Sequence, residues 1–312
     1  MNKRALVTGA AGFLGSNLCK RLLDDGFKVI GVDNFHTGIK ANIASLQQYD
    51  AFNFIEHDII TPLDIPCDWI FNFACPASPP HYQKDPIFTA KTNFLGSLNM
   101  LELAVKNNAR IMQASTSEIY GNPLQHPQTE EYWGNVHTLG PRACYDEGKR
   151  IAETLFCDFK RKHNLDIKII RIFNTYGPGM DPHDGRVVSN FIMQAIKNKP
   201  ITLYGSGKQT RSFCYVDDLI NGIMAMMQSD STVTGPINLG NPTEFTLLEL
   251  VAALEEVLGK KLAVTMHPLP EDDPIRRQPD ISKALTLLGW NPTVDLKTGL
   301  VKTISYFESF LP

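Results

Sequence analysis

A short apolar run, RALVT at residues 4–8, leads directly into Gly9-Ala-Ala-Gly12-Phe-Leu-Gly15, and these glycines open a stretch of helical periodicity. This strand–turn–helix order constrains the chain more than any other feature. Glycines let a backbone approach a pyrophosphate, and a helix N-terminus adds N–H donors and the positive end of a dipole. The context lifts the triplet above a chance match. Its spacing is G-x-x-G-x-x-G rather than G-x-G-x-x-G, which points to a specialised dinucleotide-binding group; a tight βα turn without a ligand is the alternative. Asp33 closes the second predicted strand. An acid there accepts both hydroxyls of the adenosine ribose and repels a 2′-phosphate, which predicts NAD over NADP. Asp58, just past the third predicted strand, is placed to hold the adenine edge.

The alternation continues. Strands are predicted at 28–32, 52–56, 69–73, 110–114 and 168–172, and helices at 13–25, 85–106 and 145–162. Repeated β-α-β units with apolar strands imply an α/β fold, a Rossmann-type doubly wound parallel sheet covered on both faces. Beyond about residue 175 the pattern loosens. Gly177, Pro178, Gly179, Pro182 and Gly185 predict a long loop, followed by short mixed elements and a final helix near 296–310. The expectation is a dinucleotide-binding domain over 1–175 and a smaller mixed α/β substrate lobe over 176–312, interleaved across a soft boundary.

Composition excludes several classes. Of the 312 residues 43% are hydrophobic and 20% charged, with a net charge of −3. That is enough apolar material for a core and too little basic excess for a nucleic-acid binder. No apolar run is long enough to span a bilayer, and no signal-peptide pattern is visible. Cys19, Cys67, Cys75, Cys144, Cys157 and Cys214 form no CxxC pair, so reduced thiols, a cytoplasmic setting and no metal site are expected.

Tyr145-Asp-Glu-Gly-Lys149 places a phenol and an ammonium on one helical face. A phenol is a poor base at its ordinary pKa. A nearby Lys and the cationic nicotinamide favour the phenolate, giving a general base for an alcohol that loses hydride. Thr116, Ser117 and Glu118 follow the fifth strand, beyond the carboxyl end where open α/β sheets bind ligands. Thr116 is suited to bond the reacting hydroxyl.

Together these motifs resemble the extended short-chain dehydrogenase/reductases that act on nucleotide sugars. DNFHTG at 33–38, PASPP at 76–80, GPRACYDEGK at 140–149, RIFNT at 171–175, DGRVVSNF at 184–191 and YGSGKQTR at 204–211 resemble the branch that decarboxylates UDP-glucuronate. The similarity runs over essentially the whole chain. Cys75 departs from the usual Ser, and His36 from the usual Phe. The resemblance implies a soluble, unanchored form and a homodimer built on the helices containing 90–106 and 145–162.

The resemblance also implies the chemistry. Tyr145, with Lys149 and Thr116, takes the C4 hydroxyl proton while C4 hydride passes to NAD. The resulting 4-keto sugar is a β-keto acid and loses CO₂. C5 is then protonated and hydride returns to C4, giving UDP-xylose. Ser117-Glu118 distinguishes the chain from a 4,6-dehydratase, expected to show Asp-Glu, and from a 4-epimerase, usually without Glu. Glu118 orients the ring or a water near the carboxylate, with Ser117 donating to it; the acid–base assignment stays open. Arg277 is implied in substrate binding and catalysis. Cofactor contacts are implied at Gly9, Gly12, Phe13, Leu14, Gly15, Asp33, Asn34, His36, Thr37, Gly38, Asp58, Ile59, Phe73, Cys75, Thr92, Ala114, Tyr145, Lys149 and Thr175. Substrate contacts are implied at Pro80, Tyr82, Lys91, Asn174, Arg186, Val188, Tyr204, Gln209, Arg211 and Arg277. A UDP-hexose 4-epimerase and a catalytically silent NAD-binding scaffold remain the alternatives.

Overall fold

The computed structural model describes residues 3–268 and 277–311. β1 (Arg4–Thr8), β2 (Lys28–Asp33), β3 (Phe52–Glu56), β4 (Trp69–Asn72), β5 (Arg110–Thr116) and β6 (Ile167–Ile172) join with Ile237–Leu239 in one seven-stranded sheet. All neighbouring pairs are parallel, in the order Ile237–Leu239, β6, β5, β4, β1, β2, β3. The chain starts at β1, winds outward to β3, then returns to β4 on the other side. That reversal opens a crevice at the carboxyl ends of β1 and β4.

The strands are apolar runs because both faces are covered. Ala5 and Val7 pack on one face with Leu18 and Leu22, whereas Leu6 packs on the other with Met100, Leu101 and Phe156. This is the two-residue alternation of a strand, with both phases buried. The first of these cores continues through Leu219 and Leu254 to Phe307, so the C-terminal residues share it. They also supply the outer strand Ile237–Leu239 and three small pairs: Thr175–Tyr176 with Cys214–Tyr215, Thr210–Ser212 with Glu244–Thr246, and Ile201–Tyr204 with Val264–His267.

The helix predicted at 85–106 is divided. It comprises Pro86–Lys91, a π turn at Thr92–Gly96, and Ser97–Asn107, preceded by the short Pro79–Tyr82. Asp85 caps the start by accepting from Phe88 N, with Pro86 in the first turn. Small residues let neighbours close on the π turn: a Cβ on Gly148 would lie 2.7 Å from Asn93 Nδ2, and one on Gly96 would lie 2.5 Å from Ile59 Cδ1. A wide turn of this kind changes the face that a helix presents, and periodicity alone does not announce it. β5 runs two residues further than predicted and ends on Thr116, which pairs with Ile172. The helix Ala143–His163 begins two residues before Tyr145.

Candidate active site

A cleft of about 630 Å³ lies over the crevice, and its lining includes the glycine turn, Tyr204, Gln209 and Arg211, with Arg277 beside Glu118. In the glycine turn Gly9 has φ +72°, a conformation open to glycine at no steric cost. A Cβ on Gly15 would run into the Gly9 carbonyl oxygen. No side chain caps the helix Phe13–Asp24 that follows, and Gly12, Phe13 and Leu14 line the cleft at its start. Asp33, 8% exposed, accepts from Ala11 N at 2.9 Å and Phe35 N at 2.8 Å. Burial pushes its carboxyl up, while these N–H groups pull it back. Asn34 Nδ2 donates to Asp58 at 3.0 Å. A glycine cradle, an uncapped helix start and a braced acid together fit a dinucleotide with a free ribose diol.

Asn34, His36, Thr37, Ile59, Phe73, Cys75, Thr92, Ala114 and Thr175 also line the cleft. Gly38 does not. It sits behind Asp33, where a Cβ would lie 2.9 Å from Oδ1, so its role is to leave room for that carboxylate.

At the centre, Thr116 ends β5 and caps the 3₁₀ turn Ser117–Tyr120, accepting from Glu118 N at 3.2 Å. Tyr145 and Lys149 approach from the helix Ala143–His163. Tyr145 hydrogen-bonds the Thr116 side chain, and its ring stacks on Tyr82 at 5.0 Å with 6° between the planes. Lys149 Nζ donates to Ala114 O at 2.9 Å and lies 5.7 Å from the Tyr145 ring centroid. The sequence predicts that Lys149, together with the cationic nicotinamide, favours the phenolate. In the protein alone burial prevails and lifts the phenol well above its ordinary range, with Cys75 and Glu118 adding to the rise and Thr116 opposing it. Burial likewise lowers Lys149. The protein's own groups therefore leave Tyr145 protonated, and favouring the phenolate would fall to the cationic nicotinamide.

Glu118 is held from two sides. Arg142 Nη2 donates to Oε2 at 2.6 Å and Arg277 Nη1 to Oε1 at 3.3 Å. Burial works against the charge, yet Arg277 and Arg142 hold the carboxyl down at about 2. Glu118 is thus an anion throughout the neutral range, which removes it as a resting proton donor in this arrangement.

Arg186, whose charge reaches Tyr145 and Glu118, forks onto Asp184 through Nε at 2.7 Å and Nη2 at 2.6 Å. Gln209 Nε2 donates to Tyr204 O at 2.6 Å. Asn174 and Val188 complete this part of the lining. Three residues expected at the sugar are not among those that line the cleft. Pro80 packs against Gly185 outside the lining, Lys91 is exposed, and Tyr82 is buried behind Tyr145. Tyr82 thus packs on the Tyr145 ring. Arg142 also lines the cleft, a placement that the GPRACYDEGK segment does not announce. Arg142 lies one helical turn before Tyr145, and that spacing is the available hint.

The chain belongs to the NAD dependent epimerase/dehydratase family, whose profile matches residues 5–240. It is 50% identical to UDP-glucuronic acid decarboxylase 1 of Xenopus tropicalis, over 99% of this chain and 73% of that protein. It is 52% identical to UDP-glucuronic acid decarboxylase 6 of Arabidopsis thaliana, over 96% of this chain and 87% of that one. Among solved structures it is similar to UDP-glucuronic acid 4-epimerase of Bacillus cereus in complex with UDP-glucuronic acid and NAD. The TM-score is 0.90 at 31% identity, over 99% of this chain and 100% of that chain.

Proposed function

We propose that this chain is an NAD-dependent carboxy-lyase that converts UDP-glucuronate to UDP-xylose and CO₂. The observation that carries the reading is the central constellation. Thr116, Glu118, Tyr145 and Lys149 meet in one cleft with Arg277, in a chain half identical to proteins named for that reaction. When bound, NAD oxidises sugar C4 and is restored by the reverse transfer, so the reaction is redox-neutral overall.

The residues of the chain do the rest. Tyr145 Oη exchanges a proton with the C4 hydroxyl, oriented by Thr116. Lys149 holds β5 through the Ala114 carbonyl, two residues before its end, and keeps positive charge near the phenol. Oxidation at C4 makes the sugar a β-keto acid, and departure of CO₂ leaves charge on the C4 oxygen, which Tyr145 and Thr116 stabilise by hydrogen bonding until C5 takes up a proton that originates in solvent. Glu118, ionised and braced by two guanidinium groups, orients the ring, with Ser117 beside it. Arg277 and Arg211 receive the negative charge of the substrate, since a guanidinium fork matches phosphate and carboxylate. Asn174, Arg186, Val188, Tyr204 and Gln209 complete the nucleotide-sugar end.

On this reading residues 1–175 bind NAD and 176–312 bind the nucleotide sugar, with the cleft between them. A homodimer through Pro86–Asn107 and Ala143–His163 is supported by Ile87, Phe94, Val105 and Ile151, which are exposed on these segments. A cytoplasmic setting is supported by six free thiols.

The deciding experiment is incubation with UDP-glucuronate and NAD, followed by CO₂ detection and mass analysis of the nucleotide sugar. Release of CO₂ with a UDP-pentose supports the decarboxylase. An unchanged mass with inversion at C4 would establish a 4-epimerase, the activity named for the Bacillus cereus neighbour. NAD binding without turnover would indicate a scaffold.

A further inference from the structure

Asp146 follows Tyr145 on the helix Ala143–His163 but does not line the cleft. It is buried, and its Oδ1 has no hydrogen-bonding partner among the described residues. Its carboxyl group faces that of Glu118 within hydrogen-bonding reach. Two carboxylates are both acceptors, so a bond between them requires one proton. The surroundings decide where that proton resides. Arg142 and Arg277 both donate to Glu118, at 2.6 and 3.3 Å, so Glu118 carries the charge and Asp146 the hydrogen. The orphaned Oδ1 fits this assignment, because a buried carbonyl oxygen without a partner costs less than half of a carboxylate in the same place. The other titratable groups that act on or feel Asp146 are the Tyr82 hydroxyl and the Cys144 thiol, both uncharged near neutrality.

We propose that Asp146 is a positioning residue: as a neutral carboxylic acid it donates a hydrogen bond to Glu118 and holds that carboxylate in one orientation between Arg142, Arg277 and the cleft. The proposal rests on the reading that Glu118 works at the sugar. Burial, with Glu118 adding to it and the two arginines opposing, lifts Asp146 to about 8. Above that pH both carboxyl groups are charged, the bond between them is lost, and they repel.

Two variants and two measurements test this. Asp146→Asn keeps the shape and supplies an N–H donor that does not titrate; Asp146→Ala removes the donor. In the wild type kcat/KM falls as pH rises through about 8. Asp146→Asn retains activity near neutral pH within about twofold and lacks that alkaline fall, whereas Asp146→Ala loses about tenfold or more, as expected for removal of a charge-assisted bond. The second measurement is the melting temperature without substrate. A carboxyl whose folded pKa is raised adds stability below its unfolded pKa, and that contribution is lost as pH rises through the folded pKa. The wild type therefore loses stability relative to Asp146→Asn from mildly acid pH through about 8. Parallel melting curves, or the same alkaline fall in kcat/KM for Asp146→Asn, would overturn the proposal. Diverging melting curves with no CO₂ release from any of the three proteins would overturn the decarboxylase reading and leave the shared proton supported.

Discussion

Single side chains set the electrostatics of this cleft. Glu118 illustrates how: alone in a buried site a carboxyl drifts toward neutrality, and here two guanidinium groups reverse the drift. Its folded pKa of about 2 lies below the ordinary 4.5. Its contribution to stability is therefore present above about 4.5 and lost as pH falls toward about 2. Glu118→Ala is expected to keep NAD binding and to lower xylose formation by about two to four orders of magnitude, the range for a positioned polar group at a reacting centre; titration calorimetry and product assay separate the two effects. Tyr145→Phe is expected to stop every step. Asp33 governs another part of the cleft. NAD is expected to bind at least about tenfold more tightly than NADP, ~1.4 kcal/mol, and Asp33→Ser to narrow that gap. Equal affinities in the wild type would refute the role. Because Asp33 also braces Ala11 N and Phe35 N, the variant is expected to weaken NAD binding as well.

Secondary-structure elements bring these groups together. β5 delivers Thr116 to the crevice because it pairs with β6 to its last residue, and the turn after it presents Glu118. The helix Ala143–His163 brings Tyr145 and Lys149 to the same place. Its approach depends on Gly148, where a Cβ would meet Asn93 Cβ at 3.0 Å. Gly148→Val is expected to push this helix away from the π turn, costing about 1–3 kcal/mol for overpacking. Activity should fall further than stability, because Tyr145 moves with the helix. A melting temperature within a degree or so of the wild type, with full activity, would show that the contact does not set the helix position.

For the molecule as a whole the test is the fate of labelled atoms. UDP-glucuronate carrying deuterium at C4 is expected to give UDP-xylose still deuterated at C4. The reaction in D₂O is expected to place one solvent deuteron at C5, where CO₂ has left. Mass spectrometry and proton NMR read both. Washout of the C4 label would mean that the transferred hydrogen escapes, and release of a 4-keto pentose would mean a reaction that stops halfway. Assembly is tested separately: Phe94→Glu introduces charge at an exposed apolar position of the proposed dimer face, and sedimentation is expected to show a shift toward monomer. A wild-type monomer at micromolar concentration would remove the dimer.

Local chemistry was legible from the chain alone. β1 and β3 lie where their apolar runs predict, and the glycine turn and Asp33 line one cleft, as their places after β1 and at the end of β2 lead one to expect. These signals survive in one dimension because each lies within a few consecutive residues: strand pattern, φ > 0 glycine, i and i+4 spacing. The π turn, Gly38 behind Asp33 and Tyr82 behind Tyr145 were not legible, since each depends on an element packed against it from elsewhere. The charge states depend on packing most of all. Glu118, Arg142, Asp146 and Arg277 come from three separate stretches of chain, and whether a carboxyl holds a proton depends on burial and on which cations reach it. Sequence names the ionisable groups; only folding sets their distances and removes the water between them, and those two quantities fix their charges.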